Sequence, residues 1–195
     1  TYSVTTKYPY ISTTNYSSPG ALYFYSTSTT YNIVTLPPLA TNISANTLEL
    51  RFNLRKTSAV YNLEVGVMTN PYDISSFVIV DTVTPSALNT WEEIEVDFNN
   101  YTGNGQYIAF MSDRRSVPGA NYMYLDNVEL RTIPSCRAPQ NLQVTSVVGN
   151  SVSLSWTERN EATSWQIAYG APGFNPDSTT AIMVTTTANP FTLSN

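Results

Sequence analysis

Apolar and polar side chains alternate along most of this chain, and the alternation predicts strands. In "LELRFNLR", Leu48, Leu50, Phe52 and Leu54 fall on one face of an extended segment and Glu49, Arg51, Asn53 and Arg55 on the other, which is the period of two that a half-buried strand requires. "YNLEVGVM" repeats the pattern with Leu63, Val65 and Val67 inward and Glu64 and Gly66 outward; a glycine in mid-strand predicts a bulge or the close approach of another group. "FVIVDTV" follows, and then "WEEIEVDF", with Ile94, Val96 and Phe98 inward and Glu93, Glu95 and Asp97 outward. "YIAFMS" from Tyr107 is nearly unbroken apolar, as a strand covered on both faces is. Asn70-Pro71, Pro85-Ser86, Gly103-Asn104-Gly105 and Pro118-Gly119 supply turn chemistry between these runs. Helical periodicity is not sustained anywhere.

"TIPSCRAP" interrupts the pattern with two prolines and predicts a domain boundary near Pro134. Beyond it, "NLQVTSV", "SVSLSW", "SWQIAYG" and "AIMVTTT" are shorter strands, with the turn-rich insertion "APGFNPDS" between the last two. Short strands at regular spacing around an inward tryptophan predict a second β-sandwich. The expected fold is therefore all-β, with one domain over residues 1–133 and a smaller sandwich over residues 134–195.

One segment resists the alternation. In "YMYLDNVEL", Tyr122, Tyr124, Asp126, Val128 and Leu130 share a parity, which puts a carboxylate in the register of apolar residues. Burying it costs several kcal/mol unless it is paired, protonated or bound to a cation. Three readings stay open: a β-bulge that shifts the register, a carboxylate accepting backbone N–H bonds from a loop, or a calcium ligand. Calcium takes six to eight oxygens, commonly carboxylates and loop carbonyls, and the loop "SSPGA" with Gly20 is a source of carbonyls.

Composition narrows the function classes. Charged residues make up only 12% of the 195, about half the usual share, and Thr, Ser, Asn and Tyr supply the polarity instead. With 9 Lys+Arg against 14 Asp+Glu and a net charge of -5, there is no basic stripe to neutralise phosphates, and nucleic acid is not an expected partner. Histidine is absent, which removes the commonest general base and zinc ligand together with Ser-His and Cys-His nucleophile pairs. The single cysteine, Cys136, has no internal disulfide partner and is read as a semi-buried linker thiol or as one half of a pair with a cysteine elsewhere. No apolar run reaches the length of a bilayer span, so membrane insertion is not expected. The acidic pairs Glu92 with Glu93 and Glu95 with Asp97 fall on a strand edge or face rather than converging in a cleft, as glycosidase chemistry requires; the chain is expected not to be an enzyme.

"TLELRFNLR", "LEVGVMTNPYDISSF", "WEEIEVDF" and "GQYIAFMSDRRSVPGANYMYLDNVEL" resemble the cleaved-adhesin domains of gingipain proteases, a branch of the MAM-like and galactose-binding-like jelly rolls, from about Tyr8 to Leu130. The tail, "CRAPQNLQV" through "SVSLSW" and "WQIAYG", is similar to a bacterial fibronectin type III module. The resemblance implies that Trp156 is core, that Asp126 ligates a structural calcium, and that both domains are cut: an N-terminal strand of the first and C-terminal strands of the second would lie outside this sequence. It also implies a secreted or cell-surface bacterial protein, and because the resemblance is to bacterial proteins the triplets at Asn15, Asn42 and Asn100 are discounted as glycosylation sites.

Ten of the fourteen tyrosines fall in "KYPYISTTNYSSPGALYFYSTSTTY" and at Tyr101, Tyr107, Tyr122 and Tyr124. An apolar face with a polar tip suits sugar rings and protein hot spots, and equally a half-buried strand position. Asp73 in "NPYDISS" reads as a turn former. The expected binding residues are Arg114, Arg115 and Tyr122, on and beside the long loop before the last strand of the first domain, with Tyr72 on the Asn70-Pro71 turn. The leading expectation is a non-catalytic adhesion or carbohydrate-recognition module, binding a glycan or a host surface protein as a monomeric part of a multidomain chain. An accessory region of a larger secreted hydrolase and a purely structural spacer are the alternatives.

Overall fold

The computed structural model describes residues 5–6, 9–27, 30–58, 62–113, 121–159, 161–179 and 181–194. The chain divides into two compact units, Thr1–Ile133 and Pro134–Asn195.

The first unit is an all-β jelly roll of two five-stranded sheets. One sheet contains β1 (Thr5–Thr6), β4 (Thr30–Thr35), β6 (Leu63–Met68), β7 (Val78–Val83) and β9 (Tyr107–Asp113), in the order β1-β4-β9-β6-β7. The other contains β2 (Tyr10–Ser12), β3 (Ala21–Ser26), β5 (Leu48–Lys56), β8 (Trp91–Asp97) and β10 (Asn121–Thr132), in the order β2-β3-β10-β5-β8. The inward parity of each strand builds the core. Phe24, Leu48, Leu50, Phe52, Leu54, Met123 and Leu125 come from the second sheet and Leu63, Val65, Val67, Ile108 and Phe110 from the first. Phe52 and Phe110 meet edge-to-face across the sandwich, centroids 5.2 Å apart, an arrangement that aligns the edge of one ring with the π-face of the other. Central β9 is buried from Ile108 to Ser112, in keeping with its unbroken apolar sequence.

Gly66 resolves both ways. The β6–β7 register shifts between Val65 and Gly66, and a methyl group at Gly66 would run into the Val78 carbonyl oxygen and the Phe77 ring. Its outward face is therefore covered rather than solvated. Because a backbone oxygen cannot swing aside as a side-chain tip can, Gly66→Ala is expected to lower stability by about 1–3 kcal/mol, read from the urea midpoint at unchanged m-value; an unchanged midpoint would show that the β6–β7 pair yields freely.

The outward parity of β5 is less open than its charged residues predict. Glu49 is 1% exposed and accepts a 2.6 Å bond from Arg131 Nε, whose Nη2 lies 3.4 Å from Glu95. Arg51 bonds Glu93 and approaches Glu95 at 4.0 Å. Asp73 is a turn former: its carboxylate accepts from the Ser75 N–H and hydroxyl and opens the short 3-10 turn Ile74–Ser76.

The second unit has a three-stranded sheet, β11 (Gln140–Val148), β12 (Ser151–Thr157) and β15 (Phe191–Ser194) in the order β11-β12-β15, and a two-stranded one, β13 (Trp165–Tyr169) with β14 (Ile182–Thr186). Trp156 is buried and packs edge-to-face on Trp165 at 5.3 Å. Cys136 is exposed rather than semi-buried: it sits in the proline-flanked segment between β10 and β11. Among the described residues no helix is long and apolar enough to cross a membrane.

Candidate functional site

The outward parity of the second sheet carries an aromatic row. On β3 the sequence Tyr23-Phe24-Tyr25 buries its phenylalanine and turns both tyrosines out; on β10 Tyr122-Met123-Tyr124 does the same around Met123. Antiparallel pairing then sets tyrosine against tyrosine. Tyr10 faces Tyr23, Tyr23 faces Tyr124, Tyr124 faces Arg55, and Arg55 faces Trp91. One register line thus crosses all five strands, from β2 to β8. With neighbouring strands ~4.8 Å apart, its four spacings span about 19 Å.

The rings touch along the line. Tyr10 and Tyr23 are 4.9 Å apart, Tyr23 and Tyr124 4.8 Å, and Trp91 and Tyr124 6.5 Å. Tyr25 stacks on Tyr122 at 5.2 Å in a second, shorter line, and Tyr16, from the loop between β2 and β3, meets Trp91 edge-on at 5.9 Å. Tyr10 and Tyr16 are more than half exposed, Tyr122 is 36% exposed, and the remaining rings are half-buried. Burial first, and then the crowding of Tyr124, Tyr10, Tyr122 and Tyr25, pushes the Tyr23 hydroxyl well above the ordinary phenol range. The Tyr23 phenol accordingly stays neutral at physiological pH.

Polar contacts fix the row at both flanks. At the β8 side, the Arg55 guanidinium lies over the Tyr124 ring, 5.3 Å from its centroid, and donates from Nε to the Asn89 carbonyl at 3.2 Å and from Nη2 to Asn89 Oδ1 at 3.3 Å. Asn89 adopts φ 58°, a left-handed conformation asparagine tolerates. The same loop is held by Glu92, which accepts from the Ser86 N–H and hydroxyl and the Ala87 N–H at 2.7–3.0 Å. Desolvation works upward on the Glu92 carboxyl, but these donors outweigh it and hold the group below its usual range.

At the β2–β3 side the fixing group is Asp126. Its Oδ2 accepts from the backbone N–H of Tyr16 at 2.8 Å and of Ser17 at 2.9 Å; its Oδ1 accepts from the Asn127 N–H at 2.7 Å, with the Ser17 hydroxyl at 3.3 Å. The β10–β5 register shifts between Asp126 and Glu129, with Asn127 at φ 50°. The bulge and the loop-binding carboxylate are therefore both present. Asp126 belongs to the outward parity of Tyr122 and Tyr124, while the extra residue returns Leu130 to the inward side opposite Leu50 and leaves Val128 exposed.

This arrangement does not fit the calcium ion expected at Asp126. The carboxylate oxygens are already taken by the N–H donors of Tyr16, Ser17 and Asn127. Among the described residues no three His, Cys, Asp or Glu side chains gather to hold a metal.

Of the expected contact residues, Tyr122 lies in the aromatic array. Tyr72 does not: it is 96% exposed on the turn between β6 and β7 of the other sheet, its N–H bonded to Asn70 Oδ1 at 3.0 Å. Arg114 and Arg115 lie outside the described residues. The row also recruits Tyr10, Tyr16, Arg55 and Trp91, which sequence reasoning did not single out. The signal available for part of it was the Tyr-apolar-Tyr triplet occurring twice, at 23–25 and 122–124. The second unit offers a different feature, a cleft lined by Leu142, Trp156, Trp165 and Ile167, where the Trp156 indole N–H is buried with no partner among the described residues.

No protein-family model matches the sequence, and no curated protein sequence does. Solved structures similar to it include a cleaved adhesin domain of Lys-gingipain from Porphyromonas gingivalis, at 22% identity over 59% of this chain and 75% of that one, TM-score 0.42. The family 30 carbohydrate-binding module of a cellulosomal cellulase of Clostridium thermocellum is 10% identical over 64% of this chain and 82% of that one, TM-score 0.46. The glycoside hydrolase domain of Endo-D from Streptococcus pneumoniae is 12% identical over 95% of this chain, TM-score 0.45, and this chain spans 30% of its length.

Proposed function

We propose that this chain is a non-catalytic glycan-recognition module of a secreted or cell-surface protein, with the aromatic row of the first unit as its binding face and the second, fibronectin type III-like unit as a spacer. The observation that carries this reading is the line Tyr10–Tyr23–Tyr124–Arg55–Trp91 running unbroken across five strands. A sugar ring has an apolar C–H face and a hydroxylated rim. Aromatic rings set side by side on a rigid sheet match the first, and tyrosine hydroxyls match the second. The row's length of about 19 Å suits several consecutive sugar units rather than a single one. Because the face is open and shallow, monovalent affinity is expected in the micromolar to millimolar range, with firm attachment arising from repeated copies.

Affinity electrophoresis in gels containing soluble polysaccharides, together with glycan-array binding, tests this. The wild type is expected to be retarded by at least one polysaccharide, with a change in tryptophan emission on binding, and the Tyr23→Ala/Tyr124→Ala double variant is expected to lose both at unchanged melting temperature of the second unit. Binding that survives the double substitution, or binding confined to proteins on a host-protein array, would overturn the reading. No release of reducing ends from any bound polysaccharide is expected.

A further inference from the structure

We propose that the glycan taken by this face is acidic: a linear polysaccharide bearing carboxylate or sulfate groups, one of which is held by Arg55 while neighbouring sugar rings lie on Tyr124 and Trp91. The inference rests on the glycan-recognition reading above and names the ligand class of that same site.

The charge inventory of the sheet sets Arg55 apart. Arg51 is matched by Glu93 and Glu95, and Arg131 by Glu49 and Glu95. Lys56 is buried on the inward side of its strand. Arg55 alone among the described β5 and β10 arginines has no carboxylate; its partners are the neutral Asn89 and the Tyr124 ring. It also stands inside the aromatic line, between Tyr124 and Trp91, so a chain stacked along the row must cross it. In a molecule of net charge -5, this cation is not part of a general basic surface.

Its hydrogen-bonding capacity is also only partly used. A guanidinium has five N–H donors. Asn89 takes one from Nε and one from Nη2, which leaves both hydrogens of Nη1 and one of Nη2, the end-on fork that matches two oxygens of a carboxylate or sulfate. The Asn89 bonds and the tyrosine ring hold the group in place before ligand arrives, so little side-chain freedom is lost on binding. A neutral chain laid over Tyr124 and Trp91 would take water from those donors and return only hydroxyl acceptors, whereas an anionic substituent would meet them with charge-assisted bonds. That difference is what produces selectivity in a polar site.

The test uses the full chain and matched polymers: alginate, hyaluronate and polygalacturonate, each beside its carboxyl-reduced neutral counterpart, with dextran sulfate beside dextran as the sulfate arm. Wild type is expected to bind at least one acidic polymer about tenfold more tightly than its neutral counterpart, with the preference shrinking as NaCl is raised. Which arm shows the preference identifies carboxylate or sulfate as the group recognised. Arg55→Gln is expected to erase the preference, bringing the ratio of acidic to neutral affinity to about one whatever the change in neutral affinity, and Arg55→Lys to retain part of it. Equal or tighter binding of the neutral polymers by wild type, or a preference that survives in Arg55→Gln, overturns the acidic assignment while leaving the aromatic face intact. Binding to neither class, or binding unaffected by Tyr23→Ala/Tyr124→Ala, overturns the glycan-recognition reading itself and this inference with it.

Discussion

Tyr124→Ala is expected to weaken polysaccharide binding by about thirtyfold or more, the loss typical of a central aromatic contact worth about 2 kcal/mol. Tyr124 is the hub of the face. Its ring touches Tyr23 at 4.8 Å and Trp91 at 6.5 Å and carries Arg55 at 5.3 Å. Removing it leaves the Tyr10–Tyr23 pair and Trp91 as separate islands and frees the guanidinium from the ring that supports it. A chain of sugars can then stack on either side but not continuously, and the gap falls at the centre of the row, where water competes least with a bound ligand. Tyr72→Ala, on the other sheet, is expected to leave affinity unchanged although Tyr72 is the more exposed ring. Because Tyr124 points away from the core, stability should fall by no more than about 1 kcal/mol, the scale of one cross-strand pair. Isothermal titration against the polysaccharide that wild type binds measures the first effect and thermal unfolding the second. A loss below threefold in a folded variant would mean that the ligand sits elsewhere.

How much of this was legible in the sequence depends on the distance over which each feature is encoded. The strand faces are local, and "LELRFNLR" states its own inside and outside: Leu50, Phe52 and Leu54 are buried as the alternation requires. Asp73 and its Ser75 bonds are likewise local. The aromatic row is not. It exists because β10 lies between β3 and β5, pairing Tyr124 with Tyr23 on one side and Arg55 on the other, and nothing in the alternation of any one strand specifies its neighbours. Even so, two Tyr-apolar-Tyr triplets in strand periodicity mark tyrosine as the outward residue twice. Arg55 and Trp91 carry no such mark, because a single arginine or tryptophan at an outward position is ordinary. Asp126 was legible as an anomaly but not in its resolution: the bulge turns on Asn127 accepting φ 50°, and the N–H donors come from a loop more than a hundred residues away in the chain. A carboxylate with unknown neighbours reads as well for a cation as for amide donors, and only the direction of the loop's peptide groups separates the two.

Asp126→Ala is expected to destabilise the first unit by about 2–3 kcal/mol, a drop of roughly 5–10 °C in its melting temperature. The carboxylate satisfies the backbone N–H groups of Tyr16, Ser17 and Asn127 at once, and bonds to a charged acceptor are worth more than neutral ones; water reaching the released loop limits the loss. Asp126→Asn keeps the shape but turns an NH2 toward N–H donors, so it should resemble Ala more than wild type. Burial pushes the Asp126 carboxyl upward, yet the N–H donors of Ser17, Tyr16 and Asn127 and the Ser17 hydroxyl outweigh it and hold the group below its ordinary range. A pKa depressed in the folded state means that the unfolded chain binds the proton more readily. The contribution is then full above the unfolded value of about 3.9 and is lost as pH falls through the folded one. Wild type should therefore lose stability faster than Asp126→Ala below pH ~4, until the two converge in acid; Glu92 and Asp73, also depressed, titrate equally in both proteins and cancel in the difference. The same geometry bears on the face itself, since Asp126 holds the Tyr16 backbone whose ring meets Trp91: ligand affinity in Asp126→Ala should fall severalfold at neutral pH, less than in Tyr124→Ala. Because the donors are amides rather than a metal, neither calcium nor a chelator should change the melting temperature through this residue. A chelator that destabilises wild type but not Asp126→Ala would show that a cation, and not the Tyr16–Ser17 backbone, is what Asp126 holds.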